Sequence, residues 1–121
     1  MQSVEGALAE YEGLPKHGLH VAEWLAVQEE VTYPEVGFTL SLRIRFMSRE
    51  PGDPRRLHLA FHGVRNLRIA QPEGAMLSGL YLDIRDIRNR QWEGIAFEVV
   101  ETEEDVIHFI CRSFEARIGE G

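Results

Sequence analysis

The chain has one cysteine, one lysine and no apolar run of the roughly 20 residues that a membrane-spanning helix needs. Each shortage excludes something. Cys111 has no second cysteine to pair with, so no disulfide forms within this sequence. The residues after Met1 (Gln2, Ser3, Val4, Glu5) supply neither the basic segment nor the apolar stretch of a secretory leader, so a cytoplasmic location is expected. No Gly-x-Ser-x-Gly, Gly-x-x-x-x-Gly-Lys or Gly-x-Gly-x-x-Gly turn occurs, and no internal repeat or linker interrupts the 121 residues. A single domain over 1–121 is expected, with no catalytic residue, metal ligand or cofactor assigned.

The net charge of −7 lacks the basic footprint of a general nucleic-acid binder. The charge is nevertheless segregated. Residues 1–35 carry −6, residues 36–92 carry +5 and residues 93–121 carry −6. Two readings follow: basic middle strands lying beside acidic terminal ones, or a charged surface kept for a partner. Twelve arginines against one lysine suit bidentate contacts with carboxylates, though base composition of the genome produces the same bias.

What the chain has in abundance is alternation. Phe38, Leu40, Leu42, Ile44 and Phe46 share one face of an extended segment, with Thr39, Ser41, Arg43 and Arg45 on the other. Leu57/Leu59/Phe61, Leu80/Leu82/Ile84, Ile95/Phe97/Val99 and Ile107/Phe109/Cys111 repeat the pattern. The expected fold is therefore mainly β: a curled or sandwich-like antiparallel sheet of about six or seven strands. The expected interior is Phe38, Leu40, Leu42, Ile44, Phe46, Leu57, Leu59, Phe61, Leu82, Ile84, Phe97, Val99 and Phe109. One short N-terminal helix over 3–12 is expected from the spacing of Val4, Ala7, Leu8 and Tyr11, with Ser3 as N-cap and Gly13 and Pro15 ending it. Residues 19–28 read as the first strand, with a helix as the alternative that Ala22, Glu23 and Ala26 allow.

Further strands are expected over 38–46, 56–62, about 77–87, 93–101 and 106–112. Pro51 and Pro54 make 49–54 a hairpin loop. Gly63 breaks the third strand, and 66–70 resumes it as a bent or bulged continuation. Residues 114–118 extend the last strand across a bulge.

Five histidines raise the question of a metal. His58 and His62 lie on one strand about 13 Å apart at ~3.3 Å per residue, too far for one zinc ion with bonds near ~2.0–2.1 Å. Both are expected exposed on the polar face near Arg43 and Arg45. A more suggestive surface element is Arg85-Asp86-Ile87-Arg88-Asn89-Arg90-Gln91-Trp92-Glu93-Gly94, because arginine and tryptophan anchor many protein interfaces; contact with a nucleic-acid backbone and a stacked base is a further alternative that the acidic chain as a whole opposes. The element's plainer reading is a turn with Trp92 closing the edge of the core.

Two segments resemble a group of small bacterial cytoplasmic proteins that includes the immunity protein 50 family. The first is Leu19-His20-Val21-Ala22-Glu23-Trp24-Leu25, similar to a His-Asp-Ala-Glu-Val pattern, with Val21 standing where that pattern prefers aspartate. The second is Arg90-Gln91-Trp92-Glu93-Gly94-Ile95 followed by Val106-Ile107-His108-Phe109-Ile110-Cys111-Arg112. His20 and Glu23 are the carried-over positions. The resemblance implies a non-enzymatic binding protein, in immunity families an inhibitor of a bacterial toxin. Arg43, Arg45, Arg88, Arg90, Trp92 and Glu93 are the expected partner-binding residues, with a protein such as a toxin, or a second copy, as partner, and neither nucleic acid nor membrane. The competing class is a small enzyme or metal-dependent protein whose site gathers distant histidines and carboxylates.

Overall fold

A computed structural model of the chain describes residues 19–31, 38–50, 52–70, 82–90, 94–102 and 106–120. The helix expected over 3–12 lies outside them. Among the described residues there are seven strands: β1 (Leu19–Val31), β2 (Phe38–Ser48), β3 (Arg55–Ile69), β4 (Leu82–Asp86), β5 (Phe97–Glu101), β6 (Ile107–Cys111) and β7 (Ser113–Glu120). Every pairing is antiparallel, in the order β1-β2-β3-β6-β5-β4, with β7 also on β3. The result is one open, mainly β sheet.

Residues 19–28 form a strand, and it extends to Val31. The helical alternative fails because the ladder with β2 satisfies the backbone from Leu19↔Ser48 to Val31↔Phe38 and sets Leu25 opposite Ile44. The register slips twice, leaving His20 and Glu23 as extra residues without a partner in the ladder. In the β2–β3 connection Asp53 accepts hydrogen bonds from the backbone N–H of Arg55 and from its guanidinium, which holds the Asp53 carboxyl at about 2.

Gly63 does not end β3. The strand runs through it, because the glycine takes a left-handed conformation (φ 64°) that absorbs an extra residue relative to β2. Asn66, at φ 55°, sits at a second slip, against β6. One edge of β3 is shared by two successive strands: Arg55–His62 pair with β7, and Arg65–Ile69 pair with β6. At the junction, the Arg112 N–H donates to the His62 carbonyl at 3.0 Å. A Cβ on Gly63 would stand 2.8 Å from the Arg112 Cβ.

The bend brings both halves of the sheet into one core. Phe97 of β5 meets Phe114 of β7 edge-on at 5.0 Å although the two strands share no ladder, and Phe61 touches both Phe109 and Phe114. The expected interior is buried from Leu42 through Phe109, except that Leu40 is half-buried and the side chain of Phe38 lies outside the described residues. Leu19, Val64, Val106, Ile107, Cys111, Phe114 and Ala116 complete the cluster. Several expected boundaries shift: β2 runs to Ser48, β3 starts at Arg55, β6 spans Ile107–Cys111, and the expected extension over 114–118 is a separate strand, β7, paired with β3. β5 starts at Phe97 rather than 93, because Gly94 (φ 73°) is still turning the chain. The described part of the strand expected over 77–87 is Leu82–Asp86, and a 3-10 turn at Arg88–Arg90 follows it.

Two stability predictions arise from this packing. Leu42→Ala should lower the unfolding free energy by about 2–5 kcal/mol in urea titrations, while Arg43→Ala on the opposite face leaves it nearly unchanged; the reverse result would invert the two faces. Gly63→Ala should destabilise by at least ~1–2 kcal/mol from the left-handed backbone, before the contact with Arg112 is added. An unchanged urea midpoint for that variant would remove the bend from its proposed place in the fold.

Candidate partner-binding face

β1, β2, β3 and β7 bury one face against the core and turn the other outward. Antiparallel register arranges the outward residues in rows across the four strands, with directly opposed Cβ atoms about 4.5–5.5 Å apart. One row runs Trp24, Arg45, His58, Arg117; the next runs Ala26, Arg43, Ala60, Glu115. The first row is bulky and charged. The second holds two alanines, and a groove of about 670 Å³ opens there, lined by Trp24, Arg43, His58, Ala60, Glu115 and Arg117 among others.

Glu23 reaches this face because it is a bulge residue. Its Oε2 accepts from Arg45 Nε at 2.6 Å and from Arg56 Nε at 3.2 Å. Arg45 also lies over the Trp24 ring, 5.4 Å from its centroid. These are partly exposed contacts, and they orient side chains more than they stabilise the fold. Arg43 and Arg117 are different. Both are exposed, and neither has a carboxylate partner among the described residues. Arg43 is flanked on both strands by alanine, which removes any cross-strand acid.

His58 is half-buried rather than exposed as expected, because the side chains of its row close over it. Its Nε2 is buried and has no hydrogen-bond partner. Burial chiefly, then the Arg117 and Arg45 charges on the two neighbouring strands, push the imidazole below its ordinary 6.5, against the smaller opposing pull of Glu23.

The remaining expected site residues are placed elsewhere. Arg88 and Arg90 follow β4, at the opposite end of the strand order from β1. Arg88 grips Asp86 through both carboxylate oxygens, at 2.6 Å for the closest contact, and its backbone N–H donates to the same group. Trp92 and Glu93 lie outside the described residues. So does the side chain of His20, whose backbone belongs to the first slip of β1. Arg43 and Arg45 are brought together with Glu23, while the Arg88–Arg90 turn is not part of that face. Sequence reasoning missed Trp24, Ala60 and Arg117 as companions of Arg43. Alternation within 113–118 does put Glu115 and Arg117 on one side, but the pairing of β7 with β3 has no local signal.

On the other half of the sheet, Asp83, Arg85, Glu98 and His108 form a chain of contacts, with His108 Nε2 3.1 Å from Glu98 Oε2. Among the described residues no group of three or more histidine, cysteine, aspartate or glutamate side chains is placed to hold a metal ion. Cys111 is fully buried, and burial pushes its thiol up to about 12, so it is no nucleophile near neutral pH.

These features define a small open-sheet β protein whose outward face carries a charged groove with two arginines that have no acidic partner among the described residues. A family model described as Immunity protein PIM8 matches residues 15–117, and the chain belongs to that family. The match bears out the coarser expectation, an immunity-type protein, and leaves the immunity protein 50 likeness at the two segments that carry it. No curated protein and no solved structure matches the chain.

The His58 environment has a consequence for stability. Below about pH 6.5 the unfolded chain takes up a proton at this position that the folded chain resists, so stability should fall as the pH drops from 6.5 toward the lowered folded value. Urea midpoints at pH 7.5 and 5.5 should therefore differ more for the parent than for a folded His58→Gln variant. Equal differences would show that His58 titrates normally.

Proposed function

We propose that this chain is a non-enzymatic immunity protein that acts in the cytoplasm and neutralises a bacterial toxin by binding it. Membership of the Immunity protein PIM8 family across residues 15–117 carries the reading. The outward face of β1, β2, β3 and β7 supports it physically: it combines an exposed tryptophan, 38% accessible, with two arginines, Arg43 and Arg117, that have no carboxylate partner among the described residues. The interface centres on Arg43 and Arg45. Arg88 is clamped to Asp86, so binding through it requires that pair to open or to be recognised as a unit.

The purified full-length chain, used as bait on a lysate of its native host, should capture a protein that arrests growth when expressed alone. Co-expression of this chain should restore growth. A captured protein without toxicity, or toxicity that the chain does not relieve, would overturn the reading.

A further inference from the structure

On a chain of net charge −7, the groove over Ala60 is an island of the opposite sign. Arg43, Arg45, Arg56 and Arg117 share the outward face with Glu23 and Glu115. Glu23 is already engaged by Arg45 and Arg56 through a single oxygen, and Glu115 offsets only one of the two charges on Arg43 and Arg117, neither of which has an ion-pair partner among the described residues, so the face stays net positive. These two stand on β2 and β7, on either side of β3 and one row apart along the strands, so their backbones are about 12 Å apart across the sheet. Between them the floor is His58 and Ala60, with Glu115 across Ala60 from Arg43; the Arg117 guanidinium, which lies beside Gly119, has to turn back toward an object seated there.

Three properties of the groove favour a carboxylate carried by a protein segment. Guanidinium forks match carboxylate geometry and bind it with charge-assisted hydrogen bonds. The Trp24 ring, held in place under Arg45, gives an apolar wall on which the stem of a side chain or an extended backbone packs. At the groove lining, His58 Nε2 is buried without a partner, a polar atom that an incoming group would satisfy. A nucleic acid is disfavoured, because the acidic remainder of the chain repels a long phosphate backbone while tolerating a short acidic segment.

We propose that this groove seats an acidic segment of the toxin, with a glutamate or aspartate carboxylate held between Arg43 and Arg117 and the adjoining residues packed on Trp24. The identity of the partner rests on the immunity reading; the chemistry of the groove does not.

Two blocked peptides separate these points: one of alternating glutamate and glycine, and its glutamine counterpart, each titrated into the 15N-labelled full-length chain. The glutamate peptide should give saturable shifts at the Trp24 indole and the Ala26 and Ala60 amides. Arg43→Ala and Arg117→Ala, each verified as folded, should weaken it by at least ~fivefold, and Arg88→Ala should not. Equal binding of the glutamine peptide, or titrations of the two groove variants that match the parent, would overturn the proposal. So would inorganic phosphate binding as tightly at equal ionic strength, which marks a plain anion site, or dimerisation of the chain abolished by Arg43→Ala, which makes a second copy the occupant. Failure with the peptides removes the groove and leaves the neutralisation assay standing. Peptide binding with failed neutralisation keeps the groove and removes the toxin.

Discussion

The rest of the structure depends on the close approach of Gly63 to Arg112. Where β3 must pass from a ladder with β7 to a ladder with β6, its backbone takes a left-handed turn that a side chain would obstruct, and Arg112 fills the space that the missing Cβ leaves. The hydrogen bond from the Arg112 N–H to the His62 carbonyl keeps the two strands joined through the bend. The joint sets the β7 and β6 ladders in succession along one edge of β3. With it, Phe61, Phe97, Phe109 and Phe114 meet in one cluster, and the edge-on and stacked contacts among them add to the simple burial of area.

The same joint decides how charge is distributed. Because β7 returns to β3, the acidic last third of the chain lies beside the basic middle, while acidic β1 flanks β2 on the other side. Arg55 is set opposite Glu120, and Ala60 opposite Glu115. The overall −7 is therefore a poor guide to any one place on the surface. Neutralisation is local, and it is incomplete where alanines interrupt a row of long side chains. Arg43 has alanine directly opposite it on both β1 and β3, which is why the face keeps both a depression and an arginine with no acidic partner among the described residues at one spot.

Much of the sheet was legible in the sequence. Strict alternation from Phe38 to Phe46 announces both the strand and its buried face, and Pro51 and Pro54 mark the hairpin that follows. The bend was partly legible: Gly63 reads as a break, and only the shared edge of β3 shows why a strand passes through it. Alternation cannot tell which strands become neighbours, since pairing is a non-local choice made by the whole core. The companions of Arg43 were hidden for that reason, as was the half-burial of His58, which arises from side chains on β2 and β7. Glu23 was named from a resemblance, and its physical role became visible with the slip in register that turns it toward Arg45 and Arg56. The helix expected over 3–12 and the side chains of Trp92 and Glu93 lie outside the described residues.

The two slips in β1 have a further effect. Among the described residues β1 is an edge of the sheet, 13 residues long, and such an edge offers a template on which another chain can add as a strand. An added strand needs regularly spaced donors and acceptors along its whole length. Extra residues at His20 and Glu23 throw that spacing out of phase twice, so an incoming strand finds only short stretches in step. The irregularity that presents Glu23 to two arginines thus also guards the sheet against open-ended polymerisation along its own edge.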